Sequence, residues 1–265
     1  MNLKEKMKKG PVFGFCMFTG AVCAIEAVGN WGYDFVYLDL EHTTLSVGTE
    51  IEKQIMAAKL AGVSPIVRVS GTNEVEIRKV LEMGAEGVTI PHICNKKDME
   101  ICIHAAKFPP MGRRGAESSV RAAGFGGPNF NWQEYITKSN AETLIIPMCE
   151  DYEFTDNVDE ILAVPGVDAV NFGPIDYSMS KNIPIGYGLT QPEIAKAFDT
   201  LVKKTQPKGI GIMCPVVPPT QESIEKAIND GVNMIILGND MYHFQNACRN
   251  IMHDCIEPAK KNLNK

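Results

Sequence analysis

Residues 32–42 read GYDFVYLDLEH. The apolar run Phe35–Leu40 is too short for a stable helix and fits a strand buried on both faces, as in a parallel sheet. Its end delivers Asp39, Glu41 and His42 together. The same pattern recurs along the chain. Strands are predicted at Val12–Phe18, Phe35–Leu40, Pro65–Val69, Gly87–Pro91, Thr143–Met148, Asp168–Phe172, Gly209–Met213 and Asn233–Leu237. Helical periodicity fills the intervals near Ala21–Gly29, Thr49–Ala61, Glu74–Met83, Lys97–Ala106, Asp156–Ala163, Gln191–Lys204, Gln221–Asp230 and Met241–Lys261. Gly62, Gly84 and Gly231 stand where a helix closes and turns toward the next strand.

Eight strands, each followed by a helix, spell a (β/α)8 TIM barrel in the α/β class. A doubly wound open sheet is the rival, but no G-x-G-x-x-G follows the first strand. No linker or shift of composition interrupts the alternation, so residues 1–265 are expected to form one domain. Two connections are long. Residues 108–131 contain PPMGRRG and GFGGPN, and residues 173–190 contain GPID and GYG. Loops of this length are commonly functional, and both are candidates for the catalytic rim, the second more directly because it follows a strand.

The 265 residues are 45% apolar, with 26 basic against 32 acidic side chains and a net charge of −6. That balance argues against nucleic acid or an anionic membrane as partner, since phosphate binding needs clustered positive charge. Met1–Lys9 is basic and Pro11–Val28 largely apolar, a loose imitation of a signal peptide, but a strand followed by a helix explains it more simply. The eight cysteines contain no C-x-x-C pair and suit a reducing cytoplasm.

In a barrel the active site forms at the C-terminal strand ends. Asp39, Glu41 and His42 follow the second strand, Arg68 ends the third, and Pro91-His92 ends the fourth. Met148-Cys149-Glu150-Asp151 ends the fifth and Gly173-Pro174-Ile175-Asp176 follows the sixth, while the last two end in Cys214-Pro215 and Gly238-Asn239-Asp240. Each has a structural explanation as a helix cap or an ion pair. Together they would gather much charge on one face, which is costly to bury without use. Glu150 and Asp176, from adjacent strands and with no evident Cys or His beside them, suit a hard cation such as Mg²⁺ or Mn²⁺. The amides after Gly173-Pro174 can hold a substrate carboxylate, Arg68 an oxygen gaining negative charge, and His42, oriented by Asp39 or Glu41, can move a proton. Lys107 and Lys181 fall in loops and read as solvated, leaving no lysine for an imine. His104, His243 and His253 fall in helical patterns and read as surface or packing residues.

The motifs GYDFVYLDLEH, PIVRV, LEMGAEGVTIP, PPMGRRG, GVDAVNFGPIDYS and GVNMIILGND carry a resemblance that covers nearly the whole chain. The sequence resembles the metal-dependent (class II) pyruvate aldolases that cleave 4-hydroxy-2-oxo acids and 2-keto-3-deoxy-sugar acids, related to citrate lyase β and phosphoenolpyruvate-utilising barrels. The resemblance implies Glu150 and Asp176 as ligands of Mg²⁺, Mn²⁺ or Co²⁺, and Arg68 on the keto or enolate oxygen. It implies His42, beside Asp39, as the acid/base, and the Ile175 and Asp176 amides on the pyruvate carboxylate. It also implies a last helix exchanged between subunits of a trimer or hexamer.

Three departures stand out. Met148 occupies a position where relatives commonly have Gln. Glu82 stands where many have an Asp that approaches the histidine of a neighbouring subunit, and Thr43-Thr44 follow His42 where smaller residues are usual. Met148 cannot donate a hydrogen bond, so either His92 takes that role or the pocket suits a less polar partner; His92 could equally cap the next helix. The activity implied is cleavage of a 4-hydroxy-2-oxo acid to pyruvate and an aldehyde through a metal-held enolate. Alternatives are decarboxylation of an oxaloacetate-like acid through the same enolate, and a binding protein that has lost turnover.

Overall fold

A computed structural model describes residues 1–185, 189 and 191–263; the GYG motif at Gly186, Tyr187 and Gly188 lies outside them. Eight parallel strands close on themselves in sequence order: β1 (Val12–Met17), β2 (Phe35–Asp39), β3 (Ser64–Arg68), β4 (Gly87–Ile90), β5 (Leu144–Cys149), β6 (Ala169–Phe172), β7 (Gly211–Pro215) and β8 (Met234–Asn239). Around them run α1 (Leu3–Met7), α2 (Val22–Asn30), α3 (Thr49–Leu60), α4 (Glu74–Glu82), α5 (Lys96–Ala106), α6 (Trp132–Glu142), α7 (Tyr152–Asp156) and α8 (Val158–Ile161). The remaining helices are α9 (Pro174–Ser180), α10 (Pro192–Thr205), α11 (Gln221–Asn229), α12 (Asp240–Asn250) and α13 (Glu257–Leu263). The (β/α)8 barrel is thus the fold, with most predicted strand bounds within a residue or two.

The strands are apolar on both faces because both are covered. Alternate residues, among them Phe35, Tyr37, Ile66, Leu144, Ile146, Met213, Met234 and Ile236, point inward and fill the barrel. Their neighbours Val36, Leu38, Val67, Ile145, Val170 and Ile235 pack against the helices. Gly14 is required at the inner wall, since a Cβ there would lie 2.2 Å from the Phe35 ring. Gly62, Gly84 and Gly231 close their helices with φ of +73°, +104° and +98°. All eight cysteines are free, and among the described residues no helix is long and apolar enough to cross a membrane.

Helices α1, α6 and α9 fall outside the predicted helical intervals. In α1 the Asn2 side chain accepts the Glu5 amide and Glu5 returns the bond to the Asn2 N–H, a capping box. Its Leu3, 1% exposed, joins the inward-facing cluster and closes the barrel at the N-terminal ends of the strands. In α6 no residue is buried, and Asn131 caps it by accepting the Gln133 and Glu134 amides.

The loop 108–131 follows α5 and therefore returns not to the catalytic rim, for which it is a candidate by length, but to that same N-terminal end. There a cavity of about 880 Å³ is lined by Gly84, Glu86, Arg114, Arg121, Tyr135 and Thr143, among others. Lys107 corrects a second expectation, because it is buried and not solvated. Its ammonium donates to the Asn140 and Thr143 carbonyls at 2.9 and 2.6 Å, just ahead of β5, and burial pulls its pKa down to about 8. Leu3→Ala should leave a void under the barrel and lower stability by about 2–5 kcal/mol in denaturant unfolding; an unchanged midpoint would show that α1 does not seal the barrel.

Candidate active site

Asp39 ends β2 fully buried and organises the turn that follows. Its carboxylate accepts the Glu41 and His42 amides, each at 3.1 Å, and Arg68 Nε from the adjacent β3 at 2.6 Å. Asp39 therefore fixes the backbone of His42, while the carboxylate beside the His42 ring is that of Glu41, with Nε2 3.7 Å from Oε2. Arg68 Nη1 also lies 2.9 Å from Glu41 Oε2, and its guanidinium sits 5.5 Å from the centre of the Tyr37 ring. Burial works against the Arg68 charge, but Tyr37, Asp39 and Glu41 outweigh it and hold its pKa above the ordinary value.

Across the rim, Glu150 follows β5 and is 1% exposed. Its Oε1 accepts the His92 backbone N–H at 2.9 Å, and the His92 ring approaches three carboxylates. Nδ1 lies 2.9 Å from Asp151 Oδ2 and 3.8 Å from Glu150 Oε1, and Nε2 lies 3.5 Å from Glu41 Oε1. The expectation that Glu150 lacks a histidine neighbour is thereby corrected. Sequence spacing hid the pairing because 58 residues separate the two. Nor does His92 cap the next helix; Asn95 does, accepting the Asp98 amide at 3.1 Å.

Asp176 sits half-buried in the first turn of α9, close enough for its charge to act on Glu150. Gly173 lies against Glu150, and a Cβ there would come within 3.0 Å of the Glu150 Cβ. Pro174 occupies the first turn of α9, where its missing N–H costs nothing, and Ile175 and Asp176 present first-turn amides. Met148 is 3% exposed, with Sδ 3.8 Å from the Tyr37 hydroxyl, which in turn accepts from Asn171 Nδ2 at 3.3 Å. Met148, Tyr37 and Asn171 thus form an interior layer at the barrel's upper end.

Glu82 stands apart. It ends α4, at the opposite end of the barrel from this rim, where its charge acts on the buried Arg114. It does not reach the site of its own chain.

One ligand atom each from Glu41, His92 and Glu150 falls within 4.8 Å of the others. Burial pushes Glu150 up to about 7; the His92 bond opposes this, and the charges of Glu41 and Asp176 add to it. Glu41 is likewise raised, chiefly by burial, and its Oε2 is buried without hydrogen-bond geometry to any described residue, Arg68 included. Such a carboxylate set fits a divalent cation.

Glu150 sets a pH dependence. Its folded pKa lies above the unfolded value, so the metal-free fold is most stable with Glu150 protonated and loses that contribution as pH rises through about 7. In chelator, Glu150→Gln should therefore raise the Tm at pH 8, on the order of 5 °C, with the gap closing toward pH 5. Equal melting at both pH values would contradict the placement.

Residues 18–247 match the family model of HpcH/HpaI aldolase/citrate lyase. The chain is 30% identical over 230 residues to 5-keto-4-deoxy-D-glucarate aldolase of Escherichia coli K12, covering 85% of each. It is also 30% identical over 237 residues to 2-dehydro-3,6-dideoxy-6-sulfogluconate aldolase of Pseudomonas putida, covering 89% of each. Among solved structures, an HpcH/HpaI aldolase from Desulfitobacterium hafniense DCB-2 superposes with a TM-score of 0.87 at 27% identity, over 96% of both chains. With the barrel closed and the carboxylate rim in place, these likenesses make the chain a member of the HpcH/HpaI aldolase/citrate lyase family.

Proposed function

We propose that the chain cleaves a 4-hydroxy-2-oxo acid to pyruvate and an aldehyde. The observation that carries this reading is the convergence of Glu41, His92 and Glu150 on one point, with Arg68 beside Glu41. Glu150 and Asp176 would hold the cation, as family resemblance implies. A divalent ion there supplies Lewis-acid polarisation of the 2-oxo group.

The residues divide the remaining work. The Ile175 and Asp176 amides, at the start of α9, hold the substrate carboxylate. Arg68, held by Asp39 and Glu41, faces the oxygen that gains charge as the C3–C4 bond breaks. His42, with its side chain 55% exposed toward solvent, takes the 4-hydroxyl proton as the aldehyde leaves. The electron pair stays on pyruvate as an enolate, which is protonated at C3.

Enolate formation is read without knowing the aldehyde. The protein should exchange the methyl protons of pyruvate in D₂O with Mg²⁺ or Mn²⁺ present. EDTA should abolish the exchange, and Glu150→Gln and Asp176→Asn should both lack it. Exchange in the chelated protein, or inactivation by borohydride with pyruvate, would overturn the reading in favour of a lysine imine.

Assembly supports a companion proposal. Along the last helical stretch Met241, Phe244, Ile251, Met252 and Ile256 are 40%, 63%, 56%, 43% and 36% exposed. An apolar stripe of this length left in water fits exchange of this helix with another subunit, as the family resemblance implies. Light scattering should give a trimer or hexamer, and a monomer would contradict the exchange.

A further inference from the structure

The identity of the cation depends on its ligands, and here the rim departs from an all-oxygen site. Resting on the reading that a divalent ion binds there, the geometry points to His92 as a nitrogen ligand, held by Asp151, so that the site favours Mn²⁺ or Co²⁺ over Mg²⁺.

Three observations carry this. First, Asp151 occupies the N-cap position of α7, where an aspartate ordinarily accepts a first-turn amide, yet its side chain makes no capping bond. It reaches instead to His92 Nδ1 at 2.9 Å, and the Tyr152 amide goes to Ser180 Oγ. Second, His92 has φ of 56°, a left-handed backbone uncommon outside glycine though tolerated by histidine. That conformation lets the His92 N–H bind Glu150 while its ring faces Glu41 and Asp151. Third, Asp151 lies against Nδ1, the nitrogen that carries the proton when a neutral imidazole offers Nε2 to an ion, as metal-ligating histidines are commonly oriented. Nε2 is the nitrogen 3.5 Å from Glu41 Oε1.

Ligands around one ion at about 2.1 Å sit roughly 3–4 Å apart, and one atom each of Glu41, His92 and Glu150 already lies within 4.8 Å of the others. Mg²⁺ prefers oxygen throughout, whereas imidazole suits first-row transition ions, with Co²⁺ bound more tightly than Mn²⁺.

The test uses the metals alone on the full chain. Metal-stripped protein is reloaded with Mn²⁺ and examined by pulsed EPR for the ¹⁴N coupling of a coordinated imidazole. Calorimetry measures Co²⁺ and Mg²⁺ binding to wild type, His92→Asn and Asp151→Asn. Asparagine at 92 tolerates the left-handed backbone, and circular dichroism verifies each fold. We expect ¹⁴N coupling in the wild type that disappears in His92→Asn. Co²⁺ affinity should fall about tenfold or more in His92→Asn and measurably in Asp151→Asn, with Mg²⁺ affinity changed less than about twofold. Bound Mn²⁺ without nitrogen coupling, or coupling that survives His92→Asn and vanishes in His42→Asn, overturns the inference while leaving the cation site standing. Failure of wild type to bind either ion overturns the metal reading itself.

Discussion

The rim depends on one buried contact, the 2.6 Å pair between Arg68 Nε and Asp39 Oδ1. Their side chains are 9% and 0% exposed, so neither charge has bulk water to fall back on. Removing one partner of such a pair costs about 3–5 kcal/mol, because the other remains buried and uncompensated. The pair is also the pivot of the site. Asp39 holds the Glu41 and His42 amides, and Arg68 reaches Glu41 and stands over Tyr37. Register Asp39↔Arg68 between adjacent parallel strands is what brings them together. The barrel's pairing scheme thus sets the geometry of the candidate site.

Charge balance then explains why the rim suits a cation. Arg68 is already engaged by Asp39 and Glu41, leaving Glu150 and Asp176 with little positive charge of their own beyond the His92 ring. Burial raises the Glu150 pKa, and neighbouring carboxylates raise it further. A divalent ion reverses that penalty, since the same closeness that makes the apo site costly makes it a chelate.

Much of this is legible in the sequence. Period and strand count carried the barrel because parallel strands buried on both faces are continuous apolar runs. Asp39, Glu41, His42, Arg68, His92, Glu150 and Asp176 all stood at strand ends. What could not be read was contact across the barrel mouth, such as His92 with Glu150 and Glu41, because sequence neighbours say nothing about the angle at which a side chain leaves the rim. Asp151 was hidden for a different reason: at an N-cap it imitates an ordinary structural aspartate. Lys107 reads as solvated because a lysine at a helix end ordinarily reaches water, whereas the two carbonyls that bind it lie more than thirty residues away.

Met148 shows how a single departure can be absorbed by the layer around it. A thioether has no proton to donate, but here its sulfur meets the Tyr37 hydroxyl, which is itself tied to Asn171. Tyr37 also lies under the Arg68 guanidinium, so Met148 touches the residue that supports the site's main cationic group. A side chain that is flexible and polarisable fills such a junction without asking for a hydrogen-bond partner of its own. On the neighbouring strand end, Asp151 turns the His92 ring and Glu150 anchors its backbone.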